Sequence, residues 1–185
     1  MTVGIRYWLP LAVVITALSG LIYLTAQQNL RQNANDPQIQ ISEDIADHLS
    51  NNPTLPLQSS SNKIDLARSL STYIIIFTDQ GKAVFSTGEL DGQIPTLPSG
   101  VLDHTKSIHQ DRITWQPKPG VRSAVVITRY SGNKNSGFVL VGRSLREVEI
   151  REDQLTQRVG FAWAATIAAS FIATSLFVGQ NKKRK

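Results

Sequence analysis

The chain has 185 residues, 41% of them hydrophobic and 18% charged, with a formal net charge of +5 and no cysteine. The absence of thiols excludes disulfide staples, cysteine-based zinc sites and iron–sulfur clusters, so an exported domain of this chain must rest on its core alone. The positive balance argues for no nucleic-acid partner. Residues 27–158 hold 14 Lys plus Arg against 14 Asp plus Glu, which leaves the surplus to Arg6, Lys182, Lys183, Arg184 and Lys185.

Those five residues flank two uncharged segments. Tyr7 to Thr25 gives 19 residues and Val159 to Gly179 gives 21. At 1.5 Å per helical residue each spans about 28–31 Å, the thickness of a bilayer's hydrocarbon core. Tyr7, Trp8 and Tyr23 on the first segment, and Phe161, Trp163 and Phe177 on the second, stand near the ends as an interfacial belt requires. Pro10 lies in the first turn, where it removes no needed hydrogen bond. A cleaved leader is disfavoured, because a cut after Ala26 leaves Leu24 where a small residue is wanted. Basic residues close to membrane segments stay in the cytoplasm. The expected order is therefore a cytoplasmic start at 1–6, a span at 7–26 and an extracytoplasmic domain at 27–158. A second span at 159–179 and a basic cytoplasmic tail at 180–185 follow. Lys182, Lys183, Arg184 and Lys185 would face anionic lipid, each held by about 1 kcal/mol.

In the domain, Asp36 followed by Pro37 signals a helix start, and Ile41, Ile45 and Leu49 then recur on one face. Asn51 to Asn62 reads as a loop by its Pro, Ser and Asn content, and KIDLARSL as a short helix. Tyr73 to Phe77 is β-branched, aromatic and almost wholly apolar, a central strand buried on both faces. The TDQGK turn, with Gly81 supplying a positive φ, leads back through Ala83 to Thr87. A Gly- and Pro-rich crossing then carries a short helix, Val101 to His109, with Ser99 or Gly100 as its cap. Strands at Arg112–Trp115, Val121–Tyr130 and Gly137–Gly142 are joined by QPKPG and SGNKNS. The expected fold is α+β: a five-stranded antiparallel sheet with a long N-terminal helix, flanked by two transmembrane helices.

Strand, TDQGK turn, strand, helical crossing and three hairpin strands together resemble the PAS-like or Cache-like sensor domains that stand between two membrane helices in histidine kinases and chemoreceptors. The stretches ANDPQIQISEDIA, ELDGQIPTLPSGVLDHTK, ITWQPKPGVR and GFVLVGRSLREVEIREDQL resemble a small family of uncharacterised bacterial two-span membrane proteins. That likeness covers most of the chain and brings no activity with it. The sensor likeness implies a small ligand beneath the crossing, here Gly88 to His109. The chain departs from those receptors in that no HAMP, kinase or methyl-accepting region follows.

No motif for catalysis stands out, neither G-x-S-x-G nor H-E-x-x-H, and no enzyme activity or cofactor is expected. His104 and His109 are five residues apart, about 140° around a helix, so one face cannot present both to a metal. His48 stands alone. The candidate ligand residues are Trp115, Arg122 and Tyr130. Arg122 and Tyr130 share strand parity with Ala124, Val126 and Thr128, and a guanidinium suits a carboxylate. The other reading puts Trp115 in the core and Arg122 in solvent.

The stretch GRSLREVEIREDQLTQR carries a capping box, Ser144 with Glu147, an i, i+4 pair of Glu147 with Arg151, and no helix breaker before Gly160. Leu145, Val148, Leu155 and Val159 fit a coiled-coil seam that Glu152 interrupts. A connecting helix over 144–158 is therefore expected to run straight into the second span, as a rigid link or as a plain stalk. Gly160, Ala164 and Ala168, and likewise Ala165, Ala169 and Ala173, form small-xxx-small rows suited to close helix packing. Their partner is the first span, a second copy or another membrane protein such as a sensor kinase. Three readings stand: a membrane-anchored input module signalling sideways to a partner, an envelope scaffold or assembly protein, and a sensor-kinase remnant without its output half. A hydrolase with an unrecognised site is a further class.

Overall fold

The computed structural model describes residues 2–33, 36–52, 63–132 and 135–183. Most of the loop expected over Asn51 to Asn62, the middle of SGNKNS, and Arg184 and Lys185 lie outside the described residues. The chain divides into two compact units, Gln32–Glu149 and the pair Met1–Arg31 with Ile150–Lys185.

The first unit is built on a sheet. Helix α2 (Asp36–Asn51) precedes a short strand β1 (Ile64–Asp65), then β2 (Tyr73–Thr78), β3 (Ala83–Ser86) and β4 (Gly88–Glu89). The crossing carries α3 (Val101–Ile108), and β5 (Gln110–Lys118), β6 (Val121–Ser131) and β7 (Ser136–Ser144) complete the unit. Five strands form one antiparallel sheet in the order β3-β2-β7-β6-β5, with β1 and β4 paired in parallel beside it. KIDLARSL is therefore strand and turn rather than helix: Ile64 N–H donates to the Thr87 carbonyl and Leu66 N–H to that of Glu89. Pairing with β4 satisfies the backbone in a way that residue periodicity does not reveal.

The sheet divides its side chains by parity. Tyr73, Ile75, Phe77, Val125, Ile127, Phe138 and Leu140 point to one face, where Trp115, Leu66 and Leu90 join them under Ile94, Leu97, Val101 and Leu102 of the crossing. Ile76, Tyr130, Val139 and Val141 point to the other, where Ile45, Ala46 and Leu49 of α2 cover them. The i, i+4 spacing of Ile41, Ile45 and Leu49 thus serves one packed face. A polar rung lies inside that contact: Ser42 Oγ and Thr128 Oγ1, both buried, are 2.9 Å apart. Gly81 takes φ +78 in the β2–β3 turn, as its place there requires.

Tyr73 lies across Gly142, its partner on β7. A Cβ at Gly142 would collide with the Tyr73 ring. Gly142→Ala is therefore expected to destabilise the sheet by about 1–3 kcal/mol. The measurement is a guanidinium melt of the full chain in detergent, read by Trp115 fluorescence with Trp8 and Trp163 replaced by Phe. Burial pushes the Tyr73 phenol up from 10.0 to about 12, with the Ser123 hydroxyl pulling the other way. Its folded value lies above its unfolded one, so this stabilisation is complete below pH 10 and is lost as the pH rises towards 12. Tyr73→Phe should flatten the fall in stability across that alkaline window.

The second unit consists of α1 (Thr2–Asn33) and the larger part of α4 (Arg146–Lys183). Each helix is long and apolar enough to cross a membrane by length and composition. Helix α4 is unbroken, as the lack of breakers leads one to expect. It begins one residue later than a Ser144 cap implies, with Ser144 Oγ accepting from the Arg146 N–H at 3.3 Å.

Candidate functional site

Pro95 and Pro98 keep the crossing extended and deny it two backbone donors, so it lies over the sheet without joining it. Between this segment and the β2–β3 turn opens a groove of about 480 Å³. Its apolar wall is Phe77, Ala83, Ile94, Leu97 and Leu102, and its polar groups are Asp79, Gln80, Thr96, Ser99 and Asp103. No Lys, Arg or His lines it. Asp79 Oδ2 is 3.5 Å from Lys106 Nζ, whereas its Oδ1 has no hydrogen-bond partner among the described residues. Helix α3 presents its amino end at the same groove. Gly100 stands at the cap without a side-chain bond, and Asp103 lies in the first turn. The position beneath Gly88 to His109 is the one the sequence reading singles out; Asp79 and Asp103 are residues it passes over. A carboxylate in a turn after a strand is common, and only the folded crossing brings these two together.

The three residues expected to bind ligand do not meet. Trp115 is 3% exposed and packs in the core on the crossing side. Tyr130 lies on the opposite face, under α2, its phenol raised by burial and then by the charge of Asp79. Arg122 is half exposed and pairs with Glu149 in the first turn of α4. Parity placed Arg122 and Tyr130 on one face correctly, but seven residues of strand lie between them.

Arg122 belongs instead to a joint at the start of α4. The Leu145 N–H donates to the Arg122 carbonyl at 2.9 Å. Arg146 donates to the carbonyl of Arg68 at 3.0 Å, and Arg143 Nε to that of Leu70 at 3.3 Å. The first two bonds tie the start of α4 to β6 and to the segment after β1, and the third ties β7 to that same segment. Glu147 and Arg151, expected to pair, form no ion pair among the described residues; Glu149, one turn-face away, makes the contact that counts.

A second set of contacts joins α1 and α4. Trp8 Nε1 donates to Ser170 Oγ at 3.1 Å, Trp163 Nε1 donates to Thr16 Oγ1 at 3.0 Å, and Tyr23 and Thr156 share a hydroxyl contact of 3.2 Å. Arg31 and Glu152 pair at 2.7 Å, and the Trp8 and Phe171 rings meet edge to face. The order of these pairs makes the helices antiparallel. Glu152 interrupts the apolar seam because it is this ion-pair position. Gly160, Ala164 and Ala168 are exposed and lie off the contact line, and a Cβ at Gly160 would meet nothing. The row Ala165, Ala169 and Ala173 is exposed as well. Helix α4 extends to Lys183, so Lys182 and Lys183 fall in its last turn.

Among the described residues, no group of three His, Asp or Glu side chains is placed to hold a metal ion. No family model matches the chain, and no curated protein matches it.

The Arg122–Glu149 pair is exposed at 47% and 41%, so its coupling should be small, about 0.2–1 kcal/mol in a double-mutant cycle. The swap Arg122→Glu with Glu149→Arg is expected to recover most of what either charge reversal loses, read in the same guanidinium melts.

Proposed function

We propose that this chain is a membrane-anchored input module: a PAS/Cache-like extracytoplasmic domain held by two spans, which binds a small ligand and acts on a membrane partner through α4. The observation that carries this reading is the groove between the crossing and the β2–β3 turn. It lies where the sensor likeness implies a ligand, and its volume of about 480 Å³ falls in the range of small-molecule sites. The sheet that supplies Phe77 and Ala83 to the groove is bonded to the first turn of α4 through Arg122 and Glu149, and Arg146 of that turn bonds the segment after β1. In this reading a ligand that shifts the crossing acts on the first turn of α4 through that pair. The reading assigns binding and transmission rather than catalysis, and both termini to the cytoplasm. The small-residue rows off the α1 contact line are the surface open to a second copy or another membrane protein.

A scaffold reading wants a broad apolar docking surface. Among the described residues of the sheet unit, Val84 and Ile108 are the exposed large hydrophobic side chains, and this supports a ligand site over such a surface.

The cysteine-free sequence makes the topology testable by single substitutions. With a membrane-impermeant maleimide on intact cells, Gln116→Cys should label and Gln180→Cys should label only after permeabilisation. The opposite pattern overturns the orientation and the input-module reading with it.

A further inference from the structure

The groove has a chemical bias. Seven apolar side chains and two carboxylates line it, and no cationic side chain does. An anionic ligand would meet Asp79 and Asp103 with only the amino end of α3 to receive it. That end carries about half a positive charge, which Asp103 in the first turn already offsets. Lys106 reaches one oxygen of Asp79, at 3.5 Å, from a position outside the lining. The other oxygen is buried and has no donor among the described residues, so a ligand in the groove meets Asp79 at the oxygen that Lys106 approaches; a carboxylate beside an apolar wall favours a partner that brings N–H donors and positive charge.

We propose, on the reading of this groove as a ligand site, that it takes a small organic cation: an ammonium group held by Asp79 and Asp103, with an apolar body against Phe77, Leu97 and Leu102. Arg122, the one guanidinium that suggested a carboxylate ligand, is committed to Glu149 on the opposite face of the sheet from the crossing. The groove therefore selects against acids that share the same apolar body.

Three isosteric probes separate charge from shape: benzylammonium, benzyl alcohol and benzoate. They are offered to the full chain in phosphatidylcholine nanodiscs, with empty nanodiscs as reference, and binding is read by saturation-transfer NMR titration. Benzylammonium should bind tightest and benzoate weakest. Asp79→Asn and Asp103→Asn should each weaken benzylammonium roughly tenfold and leave benzyl alcohol unchanged. Thr96→Trp, at an exposed lining position, should abolish all three while a guanidinium melt read by circular dichroism stays that of the parent. Benzoate binding as tightly as benzylammonium, lost in Thr96→Trp, overturns the cation proposal and leaves the ligand groove standing. The same holds if both Asn variants bind benzylammonium like the parent. If no probe binds, or binding persists in Thr96→Trp, the groove is not the ligand site, and both proposals fall together.

Discussion

The architecture of the sheet unit depends on strands that are apolar on both sides. Val125, Val126 and Ile127 on β6, and Val139, Leu140 and Val141 on β7, have no measurable exposure. Alternation cannot turn such strands towards water on either side, so each face of the sheet must be covered. On one side Ile75, Val125, Ile127 and Leu140 alone represent about 2 kcal/mol each when buried. Losing that cover would cost roughly the net stability of a domain. Helix α2 closes one face with its apolar stripe. The other is closed by a segment with little regular structure, and the groove opens between that segment and the β2–β3 turn.

The same constraint explains what was legible in the sequence. Tyr73 to Phe77, Val121 to Tyr130 and Gly137 to Gly142 are dense in β-branched and aromatic residues, and their strand identity follows from composition. The stripe of Ile41, Ile45 and Leu49 announces α2 in the same way. Leu66 does not announce β1, because a two-residue parallel pairing with β4 leaves no periodic signal. The bounds of β5 were also wider than its apolar residues suggest, since backbone pairing with β6 extends an edge strand over the polar residues Gln110, Asp111 and Lys118.

The candidate site was legible in place but not in membership. The crossing was recognisable by its glycines and prolines, and the groove lies beneath it. Its carboxylates were not, because Asp79 and Asp103 are separated by β3, β4 and much of the crossing, and sequence offers no measure of that approach. Arg122 drew attention as a lone guanidinium on an apolar strand. Its explanation was 27 residues away, in Glu149, where a charged helix looked self-sufficient. Glu152 gave the opposite lesson: a charge that spoils an apolar seam was a signal of a partner, and the partner is Arg31.

The rungs between α1 and α4 have a mechanical consequence. On α4, Thr156, Trp163 and Ser170 recur every seventh residue, and each meets a different polar side chain of α1. Individually such bonds contribute only about 0.6–1.7 kcal/mol in a lipid setting. Their spacing matters more than their strength. A slip of one helical turn, about 5.4 Å, misaligns every pair at the same moment. Sliding of one helix along the other is therefore resisted by the three pairs as a set rather than one at a time.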